Sequence, residues 1–351
     1  MAKGSVFLGQ LQSPLVSVVI PAYNAATRIR ETLDSVFAQT FERFEIVLVN
    51  DGSPDTDALE QAIKKYDQRL IYIRQENRGP SGARNTAIRA ARGHYIACLD
   101  SDDIYLPGHL ARLLAAVEEQ RLDLVYSDSY FTKDGRQLGR SFEREPQSPP
   151  VTFEKLLTED CCITTSAMMA TRQSMMDAGL FDERLRRCED FDLWVRMSFR
   201  GAKMALLWEP GIEHRMLSDG LAADAYLLKL ARAEVYRKTL RLALSADQQR
   251  LVKRLIALTE GQSELDLVRR YTREGRYSEA RVAAGKAAAL LQDRKSKSVA
   301  LAVTIAPWVF RQFLSMHEAR LARKAKLQTK FDENTETMQG SVSVQSGERE
   351  K

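Results

Sequence analysis

Three aspartates within four residues, Asp100, Asp102 and Asp103, directly follow the apolar run 95–99. Carboxylates this close repel one another, so a strand that ends in them is costly unless a cation binds there. Mg²⁺ and Mn²⁺ prefer oxygen ligands and usually take one or two protein carboxylates together with substrate phosphates. The pattern therefore indicates a site for a divalent metal, Mg²⁺ or Mn²⁺, and a diphosphate. The alternative is an acidic loop that only caps the helix after it.

Alternating strands and helices position this cluster. Apolar runs predict strands over 16–20, 44–49, 70–74, 95–99, 122–127 and 161–171. Helical patterns occupy 24–39, 58–66, 83–92, 107–120 and 191–200, and residues 133–136 predict a hairpin turn. This alternation is typical of a mostly parallel α/β sheet, in which ligands bind beyond the carboxyl ends of the strands. Tyr23, Asp51 and the three aspartates all fall at such ends.

Composition limits the class of protein. The 351 residues exceed one typical domain, 44% of them are hydrophobic, and the net charge is only +5. No apolar stretch near Met1 resembles a signal peptide. The four cysteines lack the spacing of metal ligands, so we expect reduced thiols and a cytoplasmic protein.

Five motifs, in order along the first 220 residues, resemble those of the family 2 glycosyltransferases. They are Val18-Val19-Ile20-Pro21-Ala22-Tyr23-Asn24, Val49-Asn50-Asp51-Gly52-Ser53, Asn77-Arg78-Gly79 with Ala83-Arg84-Asn85, Leu99-Asp100-Ser101-Asp102-Asp103, and Cys188-Glu189-Asp190-Phe191-Asp192-Leu193-Trp194. The resemblance implies the GT-A fold, a Rossmann-like, mostly parallel central sheet flanked by helices, here followed by an α-helical C-terminal region. It also implies transfer of a sugar from a UDP- or dTDP-sugar to a hydroxyl group of a glycan or lipid-linked saccharide, in cell-surface polysaccharide or glycan biosynthesis.

The resemblance assigns the nucleotide-sugar donor to one set of residues, which comprises Pro21, Ala22, Tyr23, Asp51, Arg84, Asp100 and Arg215. Tyr23 would stack on the base, and Asp51 would accept a hydrogen bond from N3–H of uracil or thymine. Arg84, at the start of a helix, would bind phosphate. The alternatives are ordinary packing for Tyr23, a turn aspartate for Asp51 and a solvated surface arginine for Arg84.

Four carboxylates are the candidates for binding the metal and for proton transfer. By resemblance Asp102 ligates the metal, and Asp100 holds the ribose or completes the metal shell. Asp190 is the candidate base that takes the proton of the acceptor hydroxyl, and Glu189 holds it in place or contacts the acceptor. One base opposite the leaving group implies inversion at the anomeric carbon. The alternative for the acidic pair is a helix N-terminus enriched in acids.

Two departures from the family pattern bear on the reaction. The Gln-x-x-Arg-Trp motif of processive members is absent after Asp190, so we expect one sugar per encounter. In many relatives a histidine follows an arginine in the segment that contains Arg215, whereas here His214 precedes Arg215. We expect Arg215 to approach the diphosphate.

The C-terminal third has a different character. Residues 222–293 predict three or four amphipathic helices. The apolar stretch 298–310 is shorter than the roughly 20 residues that cross a bilayer, and eight cationic residues between 294 and 326 are accompanied by one acid, Glu318. This pattern favours contact with an anionic membrane surface, which would make the protein peripheral on the cytoplasmic face of the inner membrane. The alternative is a helix that packs on the catalytic domain. No module for nucleic acid is recognisable.

The predicted organisation has five parts: an N-terminal extension 1–14, a catalytic domain 15–220, an α-helical region 221–293, a basic and apolar helical segment 294–330, and a disordered tail 331–351.

Two other functions are alternatives to transfer of a sugar. A nucleotidyltransferase would show a Gly-rich basic loop after the first strand, where this chain has Pro21-Ala22-Tyr23-Asn24. A catalytically inactive GT-A-fold scaffold in glycan assembly stays open as an alternative.

Overall fold

The structure is a computed structural model that describes residues 13–66, 70–216, 225–316 and 320. The strands are β1 Val16–Ala22, β2 Phe44–Asp51, β3 Leu70–Gln75, β4 Tyr95–Cys98, β5 Ile104–Tyr105, β6 Leu124–Lys133, β7 Arg136–Arg140, β8 Met168–Thr171 and β9 Met204–Arg215. The helices are α1 Ile29–Phe37, α2 Thr56–Ile63, α3 Gly79–Ala90, α4 His109–Glu119, α5 Ser141–Arg144, α6 Phe153–Leu157, α7 Arg172–Asp177, α8 Glu189–Phe199, α9 Ala225–Thr239, α10 Ala246–Glu274, α11 Tyr277–Leu291 and α12 Arg294–Ile305. Residues 307–316 are also helical. The predicted tail 331–351 and most of the predicted N-terminal extension lie outside the described residues.

The strands of the described chain form one sheet in the order β3-β2-β1-β4-β8-β6-β9-β5, with β7 paired to β6. β1 to β4 are mutually parallel, β8 is antiparallel to both of its neighbours, and β9 is parallel to β6. All eight residues of β2 are buried, as expected of a strand covered on both faces. The predicted mostly parallel α/β sheet flanked by helices is confirmed.

Alternation along the strands divides the core into two layers. In β1, Val19 belongs to the cluster that includes α3 and α8, whereas Val18 and Ile20 belong to the cluster that includes α1, α2 and α4. Successive strand residues point to opposite faces, so one apolar run fills both layers. The helices follow suit: α1 buries Ile29, Leu33 and Val36 at helical spacing.

Two predicted elements begin later than the sequence pattern indicates. The helix predicted from residue 24 begins at Ile29, because Ser53 Oγ and Asp55 Oδ2 accept hydrogen bonds from the backbone N–H groups of Asn24 (2.7 Å) and Ala26 (2.8 Å). These side chains hold residues 24–28 in a turn. The strand predicted over 161–171 is confined to β8, and the three residues before it form a 3-10 turn, Thr165–Ala167.

The short strand β5 and the long strand β9 were not predicted, and β9 matters more for the site. Pro210 and Gly211 interrupt its apolar pattern, and both residues usually mark irregularity in a strand. β9 is nevertheless twelve residues long and pairs with β6 through register shifts next to Asp128. It carries His214 and Arg215 to the carboxyl edge of the sheet.

By its internal contacts the chain divides into two compact units, residues up to 256 and residues from 257 onward. In the first unit, α9 supports the start of α8 because Val235 packs with Leu185 and Cys188. In the second, α10, α11 and α12 share a small apolar core. The predicted boundaries at 220, 293 and 330 stay predictions, since residues 217–224 and most residues after 316 are not described. Over the described ranges, no helix has both the length and the apolarity to cross a membrane.

Gly211 is the point at which β9 passes closest to α4. A Cβ atom at this position would overlap the imidazole of His109 and the hydroxyl of Ser127. His109 is fully buried, and burial followed by the Arg112 charge lowers its pKa to about 3, so the ring is neutral and packs as an apolar group. The backbone carbonyl of Gly211 accepts a hydrogen bond from the N–H of Leu106 at 2.9 Å, which ties β9 to the segment after the acidic cluster.

We expect Gly211→Ala to lower the free energy of unfolding by about 1–3 kcal/mol, because the methyl group cannot be accommodated without moving β9. Urea unfolding monitored by circular dichroism measures the change. Gly285→Ala, in α11, is the matched control, since nothing lies within 4 Å of its added Cβ and helix propensity favours alanine. Equal stability of both variants would contradict the close approach at Gly211.

Candidate active site

The acidic cluster lies at the carboxyl end of β4 and is fixed by two neighbouring segments. Ser166 Oγ accepts the backbone N–H of Asp100 at 3.1 Å, and Thr32 Oγ1, in α1, donates to the carbonyl of Ser101 at 3.0 Å. The N–H of Asp103 closes the turn on the carbonyl of Asp100 at 3.0 Å. The loop is therefore held by its backbone, which leaves the carboxylates to face other partners.

Arg84 joins the acidic cluster to the second acidic motif. Its side chain is 6% exposed, and its two terminal nitrogens contact Asp100 Oδ1 at 2.6 Å and Glu189 Oε1 at 2.9 Å. Burial disfavours the charged guanidinium, but these two carboxylates raise its pKa above the usual value, so it stays charged. The alternative of a solvated surface arginine is wrong. A direct phosphate contact would require Arg84 to exchange one of its partners, and that contact stays a prediction.

Glu189 and Asp190 are the first two residues of α8. The chain enters this helix through Cys188, which is buried and adopts the left-handed conformation at φ 56°, a costly choice for a residue with a Cβ atom. Burial and the charge of Asp190 raise the pKa of Glu189, and Arg84 opposes that shift. Asp190 Oδ2 accepts a hydrogen bond from Thr165 Oγ1 at 2.9 Å.

These contacts close a ring, which we call the Arg84 ring. Asp190 is bonded to Thr165, and the adjacent Ser166 is bonded to Asp100. Asp100 pairs with Arg84, and Arg84 pairs with Glu189, which precedes Asp190 in the chain. The ring connects α3, the end of β4, the 3-10 turn and α8. It brings together four of the predicted site residues: Arg84, Asp100, Glu189 and Asp190.

The other two aspartates of the cluster have different environments. Asp103 is 1% exposed, and its carboxylate accepts the backbone N–H of Arg215 at 3.1 Å and contacts His214 Nδ1 at 3.2 Å. Burial lowers the pKa of His214, but the carboxylates, Asp103 foremost, raise it to about 9. Arg215 donates to the carbonyl of Asp102 and pairs with Glu31 of α1. The side chain of Arg215 therefore lies over the acidic loop.

Asp102 is the carboxylate left without a partner. No other residue of the described chain donates a hydrogen bond to it, and burial together with Asp100 and Asp103 raises its pKa to about 6. Over the described ranges, no cluster of three or more histidine, cysteine or acidic side chains is arranged to hold a metal ion by itself. Mg²⁺, however, takes only one or two protein carboxylates when phosphates supply the rest. The oxygen donors of Asp102 and Asp100 fit that requirement.

The first two strands carry the residues predicted to bind the base. Asp51 ends β2 and is 3% exposed, and its Oδ1 accepts hydrogen bonds from Gln75 Nε2 (2.6 Å) and from the backbone N–H of Arg78 (2.9 Å). Oδ2 has no such partner among the described residues. Tyr23 is 54% exposed beyond β1, so its ring is not packed in the core. No hydrogen bond of the described chain joins Tyr23 or Asp51 to the acidic cluster. Of the two residues before Tyr23, Ala22 is buried and Pro21 half-buried.

Three residues at the site were not predicted from the sequence: Thr165, Ser166 and Glu31. The signal for the first two is a run of hydroxyl side chains at 164–166 inside an otherwise apolar stretch. The strand predicted there would have aimed them at alternate faces, whereas the 3-10 turn brings both to the site. Glu31 gives no local signal, since an acid in the first turn of a helix is common.

In metal-free protein, the ionised carboxylate of Asp102 lowers the stability of the folded state. A carboxyl whose pKa is raised from 3.8 to about 6 destabilises the folded state above pH 6 and not below about pH 4. We therefore expect Asp102→Asn to raise the free energy of unfolding by roughly 1–3 kcal/mol at pH 7.5 in EDTA, with the gain vanishing toward pH 4. Urea titrations across this range measure it, with exposed Asp134→Asn as the control. A less stable Asp102→Asn variant would contradict the unpartnered carboxylate.

The sequence model described as Glycosyl transferase family 2 matches residues 17–180. An uncharacterised glycosyltransferase of Methanocaldococcus jannaschii is 31% identical over 235 residues, which are 65% of this chain and 79% of that protein. The alignments with two uncharacterised glycosyltransferases from Rickettsia bellii and Rickettsia felis cover less than a third of their lengths.

Solved structures show the same fold at low identity. S. aureus TarS 1-349 in complex with UDP-GlcNAc aligns with a TM-score of 0.59 at 19% identity, over 87% of each chain. A mannosyltransferase from Pyrobaculum calidifontis in complex with GDP-Man and Mn²⁺ aligns with a TM-score of 0.55 at 18% identity, over 86% of this chain and 84% of that one. With the family match, the sheet and the relative from M. jannaschii, the conclusion is that this chain is a glycosyltransferase of family 2 with the GT-A fold.

Proposed function

We propose that this glycosyltransferase moves one sugar from a UDP- or dTDP-sugar to a hydroxyl group of a glycan or lipid-linked saccharide, with inversion at the anomeric carbon. The observation that supports the proposal most is the Arg84 ring. It ties the candidate base Asp190, on the acceptor side, to Asp100, on the metal and donor side. One set of contacts therefore holds both groups of residues in place. We place this activity at the cytoplasmic face of a membrane, in the synthesis of a cell-surface glycan.

Asp190 acts on the acceptor in this proposal. Its carboxylate takes the proton of the acceptor hydroxyl as that oxygen forms a bond to the anomeric carbon. The bond between the anomeric carbon and the diphosphate oxygen breaks on the opposite face, and its electron pair leaves with the diphosphate. Thr165 orients the base through the hydrogen bond to Oδ2, and Glu189, held by Arg84, fixes the first turn of α8.

Asp102 and Asp100 would hold Mg²⁺ or Mn²⁺. When bound, such an ion neutralises the charge that grows on the leaving diphosphate. The support lies in the donor chemistry of the two carboxylates and in the unpartnered state of Asp102. The solved structure of the mannosyltransferase of the same fold is a complex with GDP-Man and Mn²⁺. Arg215, already over the acidic loop, would add positive charge on the diphosphate side.

Asp51 would select the base. Its free Oδ2 can accept N3–H of uracil or thymine, while Gln75 and Arg78 fix the orientation of the carboxylate through Oδ1. The exposed ring of Tyr23 would stack on the base. One of the structural neighbours is in complex with UDP-GlcNAc and another with GDP-Man, so a panel of nucleotide sugars is required to identify the donor.

The test is release of nucleoside diphosphate from a nucleotide-sugar panel with Mg²⁺, Mn²⁺ or EDTA. We expect one uridine or thymidine donor to turn over, only with metal, and Asp190→Asn to slow it by about 10²–10⁴-fold, the usual contribution of a general base. Donor affinity, measured by calorimetry, should change less than about two-fold. Binding of no donor under any metal would overturn the proposal and favour an inactive scaffold. Equal turnover by Asp190→Asn would remove Asp190 from the chemistry.

Thr165 is a positioning residue whose contribution can be isolated. Thr165→Val keeps the volume and removes the hydrogen bond to Asp190, so we expect kcat to fall about ten-fold while KM for the donor is unchanged. Thr165→Ser keeps the hydroxyl and should retain most of the activity. A fall in kcat that is the same for both substitutions would show that packing, and not the hydrogen bond, is responsible.

A further inference from the structure

Two consecutive helices of the second unit carry an apolar face that is open to solvent. On α12, Leu301 and Ile305 are 61% and 72% exposed. On the helical residues 307–316, Trp308, Phe313 and Met316 are 61–73% exposed, and Val309 is 43% exposed. We call these six residues the apolar face. Burying so many large apolar side chains on one surface is favourable, so their exposure marks a place where something binds.

The opposite side of α12 is already used for folding. Val303 is fully buried in a cluster with Val268 of α10 and three alanines of α11, and Val299 and Ala300 pack at its margin. Leu301 and Ile305 lie two residues before and after Val303, which places them about 160° around the helix from it. The helix therefore has one stripe that packs within its own unit and one that does not.

Within each helix, the spacing of the exposed apolar residues places them on one side. Leu301 and Ile305 are four residues apart on α12, and Val309, Phe313 and Met316 are spaced by four and three on the helical residues 307–316. Residues at these separations lie on one side of a helix. α12 ends at Ile305, and Ala306 alone separates it from the second helix, in which Trp308 is the second residue.

Cations flank this face, and acids are absent from it. Arg294, Lys295 and Lys297 occupy the first turn of α12, where positive charge opposes the helix dipole, and Arg311 is exposed within the second helix. Among the described residues, none of Arg294, Lys297 and Arg311 forms an ion pair. From 294 to 316 the sequence contains no acid. Helix stability does not account for this charge, whereas a negatively charged partner does.

We propose that the apolar face and its flanking cations dock this protein on an anionic lipid bilayer, with both helices lying in the plane of the interface. Leucine, isoleucine and phenylalanine would enter the acyl boundary, Trp308 would lie at the headgroup level, and the cations would contact lipid phosphates. Over the residues that the structure describes, neither helix is long enough to cross the bilayer. The proposal does not depend on the transfer reaction, because the face belongs to the second unit.

Sedimentation with vesicles tests the docking. The full-length chain is mixed with vesicles of phosphatidylcholine alone or with about 30% phosphatidylglycerol, at low and high salt. We expect binding to the anionic vesicles that weakens at least ten-fold without phosphatidylglycerol, and that also weakens as salt screens the charges. The double variant Leu301→Glu/Ile305→Glu should bind at least ten-fold less. Leu258→Glu, which charges an exposed leucine of α10, is the matched control and should bind as the unmodified chain does.

Several results would overturn the proposal. These are no binding to anionic vesicles, equal binding by the double variant, or equal loss with Leu258→Glu. A dimer in light scattering that only the double variant abolishes would mean that a second copy covers the face. Circular dichroism of each variant excludes loss of folding as the cause. Brominated lipid should quench the emission of Trp308, by comparison with Trp308→Phe, and absence of that quenching would also contradict the proposed orientation.

Discussion

The buried guanidinium of Arg84 is the interaction on which the site depends. It pairs with Asp100 and Glu189 at once, so that one buried cation offsets part of the charge of two carboxylates. Removing one partner of a buried pair generally costs about 3–5 kcal/mol, because the remaining charge is left uncompensated. The pairing also fixes the distances between the ends of α3, β4 and α8, which come from distant parts of the chain. The planar guanidinium, with its two donors, sets how far apart these ends lie.

The other two aspartates of the acidic cluster, Asp102 and Asp103, differ in whether their carboxylates have partners. Asp103 is satisfied by the backbone of Arg215 and by His214, and so it acts as a structural anchor for the end of β9. Asp102 has no comparable partner and retains a raised pKa. A stability-optimised fold would not keep such a group. Its presence beside a fully satisfied neighbour is what we expect if Asp102 is a carboxylate that binds a ligand, as proposed.

Several motif residues hold the loops around the site to one another. Asn85 follows Arg84 in the motif, and its side-chain amide both donates to and accepts from the backbone of Phe181, at 2.9 and 3.0 Å. These two hydrogen bonds fix the loop that contains Phe181, close to the second acidic motif, against α3. Arg78 pairs with Glu183 at 2.6 Å while its backbone N–H binds Asp51. The motifs therefore combine the residues proposed to bind the donor with residues that hold the surrounding loops together.

The sequence by itself determined the parallel strands β1 to β4 and the positions at their carboxyl ends. Buried parallel strands need unbroken β-branched runs, and the residues after such runs must lie at that edge, so Asp51 and Asp100 could be placed there from local pattern alone. Tertiary structure decided what the side chains do. The partners of Arg84 are 16 and 105 residues away, and the turn that presents Thr165 and the strand that carries Arg215 both depend on neighbours distant in the chain. Local pattern does not encode such contacts, because they depend on how the layers pack and not on the period of one element.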